Sequence, residues 1–141
     1  MAGKIETLKN LKKIAHHKVE DVQKQLGETL AAMENLALQI AALENRIAEE
    51  EANLGEDLDM RAHFERFEKR SRDKIKNLED EIKTLRQHEA HLREELAEHF
   101  AEEKRYQILL ERKEEEQRKA RAKKSQAQLD EIAATRHTNQ N

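Results

Sequence analysis

Apolar and small side chains recur along the first arm of the chain at a spacing of seven residues, in two tracks. The first track is broken by Lys12 and comprises Ile5, Val19, Leu26, Met33, Ile40, Ile47 and Leu54. The second is broken by Thr29 and Glu50 and comprises Leu8, Ala15, Val22, Leu36 and Leu43. Helices with this period bury the stripe by wrapping around one another. The pattern therefore predicts a long helix with one apolar seam.

The same pattern returns after Gly55. The second arm presents Phe64, Ile75, Leu78, Ile82, Leu85, Leu92, Leu96, Tyr106 and Leu110. Because a glycine between two such stripes is typical of a helix stop, the sequence predicts an all-α fold: a long antiparallel two-helix coiled-coil hairpin with a C-terminal helical overhang. The predicted single coiled-coil domain, residues 1–141, comprises a helix over 4–54, a turn over 55–59, a helix over 60–134 and a disordered tail over 135–141.

The two arms differ in length. Antiparallel pairing about the turn places Ile5 opposite Leu110, where the second stripe ends. Residues 111–141 are then expected to have nothing to pair with. A polar helix without a partner is usually unstable, so charge pairs such as Glu114–Arg118 and Glu115–Lys119, four residues apart, would have to support it.

Composition agrees with long helices and argues against a compact globular core. Of the 141 residues 40% are charged and 3% aromatic, and the chain has no proline and no cysteine. A disulfide scaffold is therefore excluded, and cytoplasmic residence is the default expectation. The sequence has no apolar run long enough to span a bilayer and no signal-peptide pattern, so direct membrane insertion is not expected.

Charge is distributed unevenly along the chain. Residues 44–59 contain seven acidic residues and one basic residue, Arg46. Residues 1–18 carry five lysines against a single glutamate, and the overhang carries Arg118, Lys119, Arg121, Lys123 and Lys124. Antiparallel pairing brings both basic groups to the open end, so a charged partner is expected to orient the protein.

Side chains able to perform catalysis are not gathered in any recognisable motif. His88, His91 and Glu95 share one helix face, but three groups on a solvated surface are weak evidence for a metal site. A two-helix arrangement offers no cleft to position a substrate, so no enzymatic activity, cofactor or metal is expected. The basic run has no interleaved aromatic residue for base stacking, which argues against nucleic acid.

The end of the overhang offers a different possibility. Between Glu111 and Gln128 there is no large apolar residue, and Leu129 and Ile132 then form a small apolar cluster. We expect these two side chains to act as anchors inside a partner, with the basic run passing acidic or polar walls.

Four segments occur in a fixed order along the chain: Leu8-Lys9-Asn10-Leu11, Lys18 to Gly27 (KVEDVQKQLG), Tyr106 to Lys113 (YQILLERK) and Gln128 to Ala133 (QLDEIA). Together they resemble the FliJ family, the stalk component of the flagellar type III export apparatus. Their order along nearly the whole chain is more specific than any one of them, since coiled coils share composition. The resemblance implies an antiparallel coiled coil similar to the γ stalk of rotary ATPases.

The resemblance also implies partners. The open end would enter the hexameric ring of the export ATPase, and other surfaces would contact the cytoplasmic domain of the export gate membrane protein and the export chaperones. Positions matching the gate-contact patch of the family are Gln39, Leu43 and Phe67. Where some members carry aromatic residues just after Leu43, this chain has Arg46 and Glu50.

The sequence thus indicates a non-enzymatic central stalk, an elongated monomer in the cytoplasm that is held at the inner face of the cell membrane through the export apparatus. Three alternatives stay open at this point. They are the analogous stalk of a virulence type III injection system, a generic coiled-coil dimer that acts as a scaffold, and a rod that binds nucleic acid.

Overall fold

The computed structural model describes residues 2–140, with side chains described from Gly3 to Asn139. It contains two helices, α1 (Ala2–Ala52, 51 residues) and α2 (Leu58–Gln140, 83 residues), and no strand within the described range. The helices pack against each other, which confirms the predicted all-α helical hairpin. Unbroken helices of this length are possible because proline is absent and glycine is rare.

The connection between the helices is fixed by Asp57. Its carboxylate Oδ1 accepts a hydrogen bond from the Asp59 backbone N–H at 2.9 Å, and its carbonyl accepts the first helical bond of α2 from the Arg61 N–H at 3.1 Å. This is the arrangement of an N-cap aspartate. The sequence predicted a helix stop at Gly55. This stop is not a left-handed glycine cap, because no glycine in the described chain has a positive φ. α1 instead ends at Ala52, before the glycine.

The chain divides into two compact units. Unit 1 combines the residues up to Val19 with those from Glu98 onward, and unit 2 comprises Glu20–Ala97. Each unit pairs a stretch of α1 with a stretch of α2. The single coiled-coil domain expected over residues 1–141 stays a prediction.

The buried apolar residues of unit 2 all belong to the seven-residue pattern, whereas Phe67, which packs against them, does not. One cluster contains Ile47, Phe64 and Ile75, with Ile40, Leu43, Leu54 and Phe67 packed against it. A second contains Val22, Leu26 and Leu92, with Leu96 beside it. Leu92 is the most deeply buried large side chain of this unit, with 1% of its surface exposed. Thr29, which interrupts the second track, is also buried, and its hydroxyl donates to the Gln25 carbonyl at 2.9 Å.

The seam of unit 1 extends further than the sequence predicted. Ala15, Val19 and Leu110 are buried as expected. However, Lys113 and Gln117 are also half-buried, and together with Ala120 they line a cavity beside Lys4 and Ile5. The pairing of α2 with α1 was predicted to end at Leu110, and this is wrong. The pairing continues for about two more helical turns. The aliphatic part of a long polar side chain can cover apolar surface, and an apolar-residue pattern does not detect this.

Beyond Ala120 the helix continues without cover. Every described side chain from Arg121 to Asn139 is exposed. The predicted disordered tail is helical as far as Gln140, while Asn141 lies outside the described residues. No glycine or proline interrupts this stretch, and the hydroxyls of Thr135 and Thr138 donate to the carbonyls of Glu131 and Ala134, both at 2.9 Å. We call residues 121–139 the uncovered segment.

Candidate partner-binding surfaces

The basic residues predicted to contact a partner lie on or next to the uncovered segment. Arg118, Lys119, Arg121, Lys123 and Lys124 are all exposed. Arg118 forms a two-pronged ion pair with Glu115, in which Nε lies 2.9 Å from Oε2 and the terminal nitrogen 2.6 Å from Oε1. The structure thus replaces the expected Glu114–Arg118 pair with one at a spacing of three residues. A planar guanidinium fits a carboxylate in this way.

The Arg118 pair perturbs both ionisable groups. The hydrogen bond from Arg118 lowers the pKa of Glu115, with further lowering by the charges of Arg118 and Lys119. The same bond raises the pKa of Arg118. The remaining cations form no ion pair among the described residues, so the expected Glu115–Lys119 pair is not formed; they are Lys119, Arg121, Lys123 and Lys124. This surface therefore retains uncompensated positive charge.

We expect the ion pair to be stable at neutral pH and to be lost in acid. A carboxylate whose pKa is lowered in the folded state stabilises that state above its ordinary pKa, and loses this contribution as the pH falls through the lowered value. The pH range in which Glu115 loses this contribution therefore lies below its ordinary pKa of 4.5. An NMR titration of the Glu115 side-chain carboxyl should give a midpoint below that value. Arg118→Gln should return it toward 4.5, whereas Lys123→Gln, which removes the same charge elsewhere, should not. Equal titration in both variants would contradict the assignment.

The two predicted apolar anchors are available at the surface. Leu129 and Ile132 are 60% and 52% exposed, and a spacing of three residues places them on one helix face. Exposed large apolar side chains are common singly, but here two of them follow the basic run on a stretch of helix whose described side chains are all exposed.

The three residues predicted for gate contact occupy different environments in unit 2. Gln39 is exposed and donates to Asn35 Oδ1 at 3.1 Å. Leu43 and Phe67 both pack against the cluster around Ile47, so they are half-buried rather than free. The Arg46 guanidinium lies over the Phe67 ring at 5.2 Å from its centroid. The structure therefore brings Leu43 and Phe67 to one cluster and leaves Gln39 outside it.

A groove near the turn includes residues that the sequence did not single out. It has a volume of about 410 Å³ and is lined on its α2 side by Asp59, Met60, His63, Phe64 and Phe67. Met60 and its neighbour Leu58 are 52% and 80% exposed. Both residues lie next to the N-cap of α2 and outside the seven-residue pattern. From that position in the sequence their exposure could have been predicted.

Three histidines lie within 4 Å of an acidic side chain, namely His16, His91 and His99. His91 Nε2 lies 3.2 Å from Glu95, and no group of three histidine or acidic side chains within the described residues is arranged to hold a metal. In unit 1 His16 Nδ1 lies 2.9 Å from Glu103 Oε1, which joins α1 to α2. Sequence reasoning missed this pair, although Glu103 lies seven residues before Leu110 and so occupies a seam position.

Comparison with known proteins agrees with the helical geometry. None of the described helices contains a stretch apolar and uncharged enough to cross a membrane. No curated protein and no solved structure matches the chain. A family model described as "Flagellar FliJ protein" matches residues 4–141, which is nearly the whole sequence. The chain belongs to the flagellar FliJ protein family.

Proposed function

We propose that the protein is a non-enzymatic central stalk of the flagellar type III export apparatus. In this proposal it inserts into the hexameric ring of the export ATPase, contacts the cytoplasmic domain of the export gate and assists chaperone cycling and substrate export. The matched family is described as flagellar, which favours this role over that of a stalk in an injection system. The protein would act in the cytoplasm, held at the inner face of the membrane by the export apparatus.

The observation that carries the proposal is the uncovered segment. α2 continues as a helix for about five turns after its last contact with α1, and every described side chain there is exposed. A helix that buries none of its surface gains no stability from packing, so this segment does not contribute to the hairpin core. Its basic residues, with Leu129 and Ile132, supply charge and apolar anchors for an external partner.

An asymmetric stalk would make the identical subunits of a ring adopt different conformational states. A single hairpin inside a six-fold ring contacts the subunits unequally. Because a ligand shifts a conformational equilibrium only by its differential affinity for the two states, unequal contacts favour different states in different subunits. In this mechanism the ATPase supplies the chemistry, and the stalk supplies the asymmetry.

The gate contact is assigned to residues outside the uncovered segment. For the gate we propose the surface around Gln39, Leu43 and Phe67, with Arg46 covering the Phe67 ring in the free protein. Only part of Leu43 and Phe67 is accessible, so gate binding would have to use their exposed edges or displace Arg46.

The decisive experiment reverses the charge of the basic cluster. Arg118, Lys119, Arg121, Lys123 and Lys124 are all replaced by glutamate, and the turnover and ring assembly of the purified export ATPase are measured with each stalk variant. We expect the stimulation of turnover to be reduced at least about tenfold, because five attractive charges become repulsive. Helicity by circular dichroism should remain, since these side chains are exposed.

A matched control reverses five exposed cations of unit 2, namely Lys69, Arg70, Lys74, Lys76 and Lys83. Its net charge equals that of the test variant, and it should stimulate the ATPase normally. Stimulation that survives reversal of the overhang, or that is lost equally in both variants, would refute the proposed role of the basic cluster. Sedimentation of the unmodified protein tests the scaffold alternative, because a stable dimer would contradict a single asymmetric stalk.

A further inference from the structure

One side of unit 1 carries a surface that combines positive charge with an exposed aromatic ring. We call it the basic-aromatic face, and it consists of Lys9, Lys12, Lys13 and His16 on α1 with Phe100, Lys104 and Gln107 on α2. Two adjoining grooves run along it, of about 510 Å³ and 490 Å³, and both are lined by Lys12 and Glu103. The face thus follows the α1–α2 junction and is separate from the uncovered segment.

The lysines of this face have no acidic partner. Lys9, Lys12, Lys13 and Lys104 form no ion pair in the described chain, because the nearby Glu103 carboxylate contacts His16 at 2.9 Å. Lys9, Lys13 and Lys104 are exposed, and Lys12 is half-buried. Placing like charges together is unfavourable, so an external anionic group would relieve their repulsion.

Phe100 adds an exposed apolar ring to this face. Phe100 is 46% exposed, and Gln107 lines the same groove. Gln107 Nε2 donates to Glu111 Oε1 at 2.6 Å, while Gln107 Oε1 is buried and out of reach of an external ligand. Phe100 is therefore the apolar contact that the face offers.

We propose that the basic-aromatic face docks an acidic amphipathic helix of a partner protein. The junction between two packed helices is a groove of the kind into which a third helix packs. Carboxylates on the edges of that helix would pair with Lys9, Lys13 and Lys104, and its apolar stripe would cover Phe100.

The chemistry of the face favours an acidic helix over nucleic acid. Glu103 lines both grooves, so the part of a ligand that lies over it should be uncharged. An amphipathic helix can place its apolar stripe there and its carboxylates at the edges, whereas a nucleic-acid backbone carries a phosphate at every residue. The inference does not depend on the proposed function, since it uses neither the uncovered segment nor the identity of the partner.

The test uses the full-length chain and three probes. The first is a stapled helical peptide of about three turns with a leucine stripe flanked by glutamate and glutamine. The second has lysine in place of glutamate, and the third is single-stranded oligothymidylate. Amide chemical-shift mapping with the acidic peptide should show changes at Lys9, Lys13, Phe100, Lys104 and Gln107. Affinity for the acidic peptide should exceed affinity for the other two probes at least about tenfold.

Variants identify which features of the face are responsible. The triple change Lys9→Glu, Lys13→Glu and Lys104→Glu should weaken binding of the acidic peptide at least about tenfold, and Phe100→Ala by a similar factor. Lys69→Glu, Lys74→Glu and Lys76→Glu change the net charge equally on unit 2 and should alter affinity less than about twofold. The proposal is overturned by equal effects of the two triple variants, by shifts elsewhere, or by tighter binding of the lysine peptide or the oligonucleotide. Charge reversal of the basic cluster should leave peptide binding intact, which separates this result from the test of stalk function.

Discussion

Replacing Leu92 by alanine is expected to lower the free energy of unfolding by about 2–4 kcal/mol. Leu92 is 1% exposed and packs against Val22, Leu26 and Leu96. Truncating its side chain removes the apolar atoms that join α1 to α2 at this level and leaves a gap between the helices. A two-helix seam has no second layer that could fill the gap, so little of the loss should be recovered.

Urea unfolding followed by circular dichroism measures this loss, and Leu38→Ala provides the matched control. Leu38 is 65% exposed in the same unit, so its truncation repeats the chemical change on a helix surface with no packing to lose. Alanine is slightly the better helix former, and Leu38→Ala should therefore change the free energy of unfolding by less than about 0.5 kcal/mol. If the two variants were equally stable, the cluster around Leu92 would not be what holds unit 2 together.

The position of Leu92 in the core could be predicted from the sequence because a single constraint determines it. When two helices pair over many turns, only the residues that recur every seven positions face the partner throughout, and the apolar residues mark them. The same argument located Val19, Ile47 and Phe64, all of which are buried. Among the residues that interrupt the tracks of the first arm, Thr29 is buried and Lys12 is half-buried, whereas Glu50 is exposed.

The features that the sequence did not reveal depend on side-chain conformation rather than on period. Lys113 and Gln117 extend the seam because they lie against Ile5. The sequence does not show whether the aliphatic part of a polar side chain will cover an apolar neighbour. Arg118 had two acidic residues within reach, and its pairing with Glu115 depended on rotamers. The unpaired oxygen of Gln107 became visible only when its surroundings were known.

The site residues were predictable to different degrees. The exposure of the basic cluster, Leu129 and Ile132 follows from the absence of apolar neighbours, which the sequence displays directly. Phe67 was identified only as a match to the gate-contact patch of the family, and its ring is half-buried beneath Arg46. That arrangement joins residues far apart in sequence through one cation–ring contact, and no local pattern signals it.

Two C-terminal truncations are expected to separate folding from partner binding. A chain ending at Ala120 keeps the contacts that cover the start of α1, whereas a chain ending at Arg112 loses Lys113 and Gln117 from the cavity beside Ile5. The first should therefore unfold within about 0.5 kcal/mol of the full-length protein. The second should lose about 1–2 kcal/mol as Ile5 and Leu8 become exposed to water.

Stimulation of the export ATPase is expected to behave differently from stability in these truncations. If the uncovered segment is the part that contacts the ring, removing residues 121–141 abolishes stimulation although the hairpin remains as stable as before. The shorter chain loses both properties, so it cannot distinguish a missing contact from a weakened fold, and the chain ending at Ala120 provides the discriminating measurement. Full stimulation by that chain would show that the uncovered segment is not the ring contact. A marked loss of stability in it would instead show that residues beyond Ala120 support the hairpin, contrary to their complete exposure.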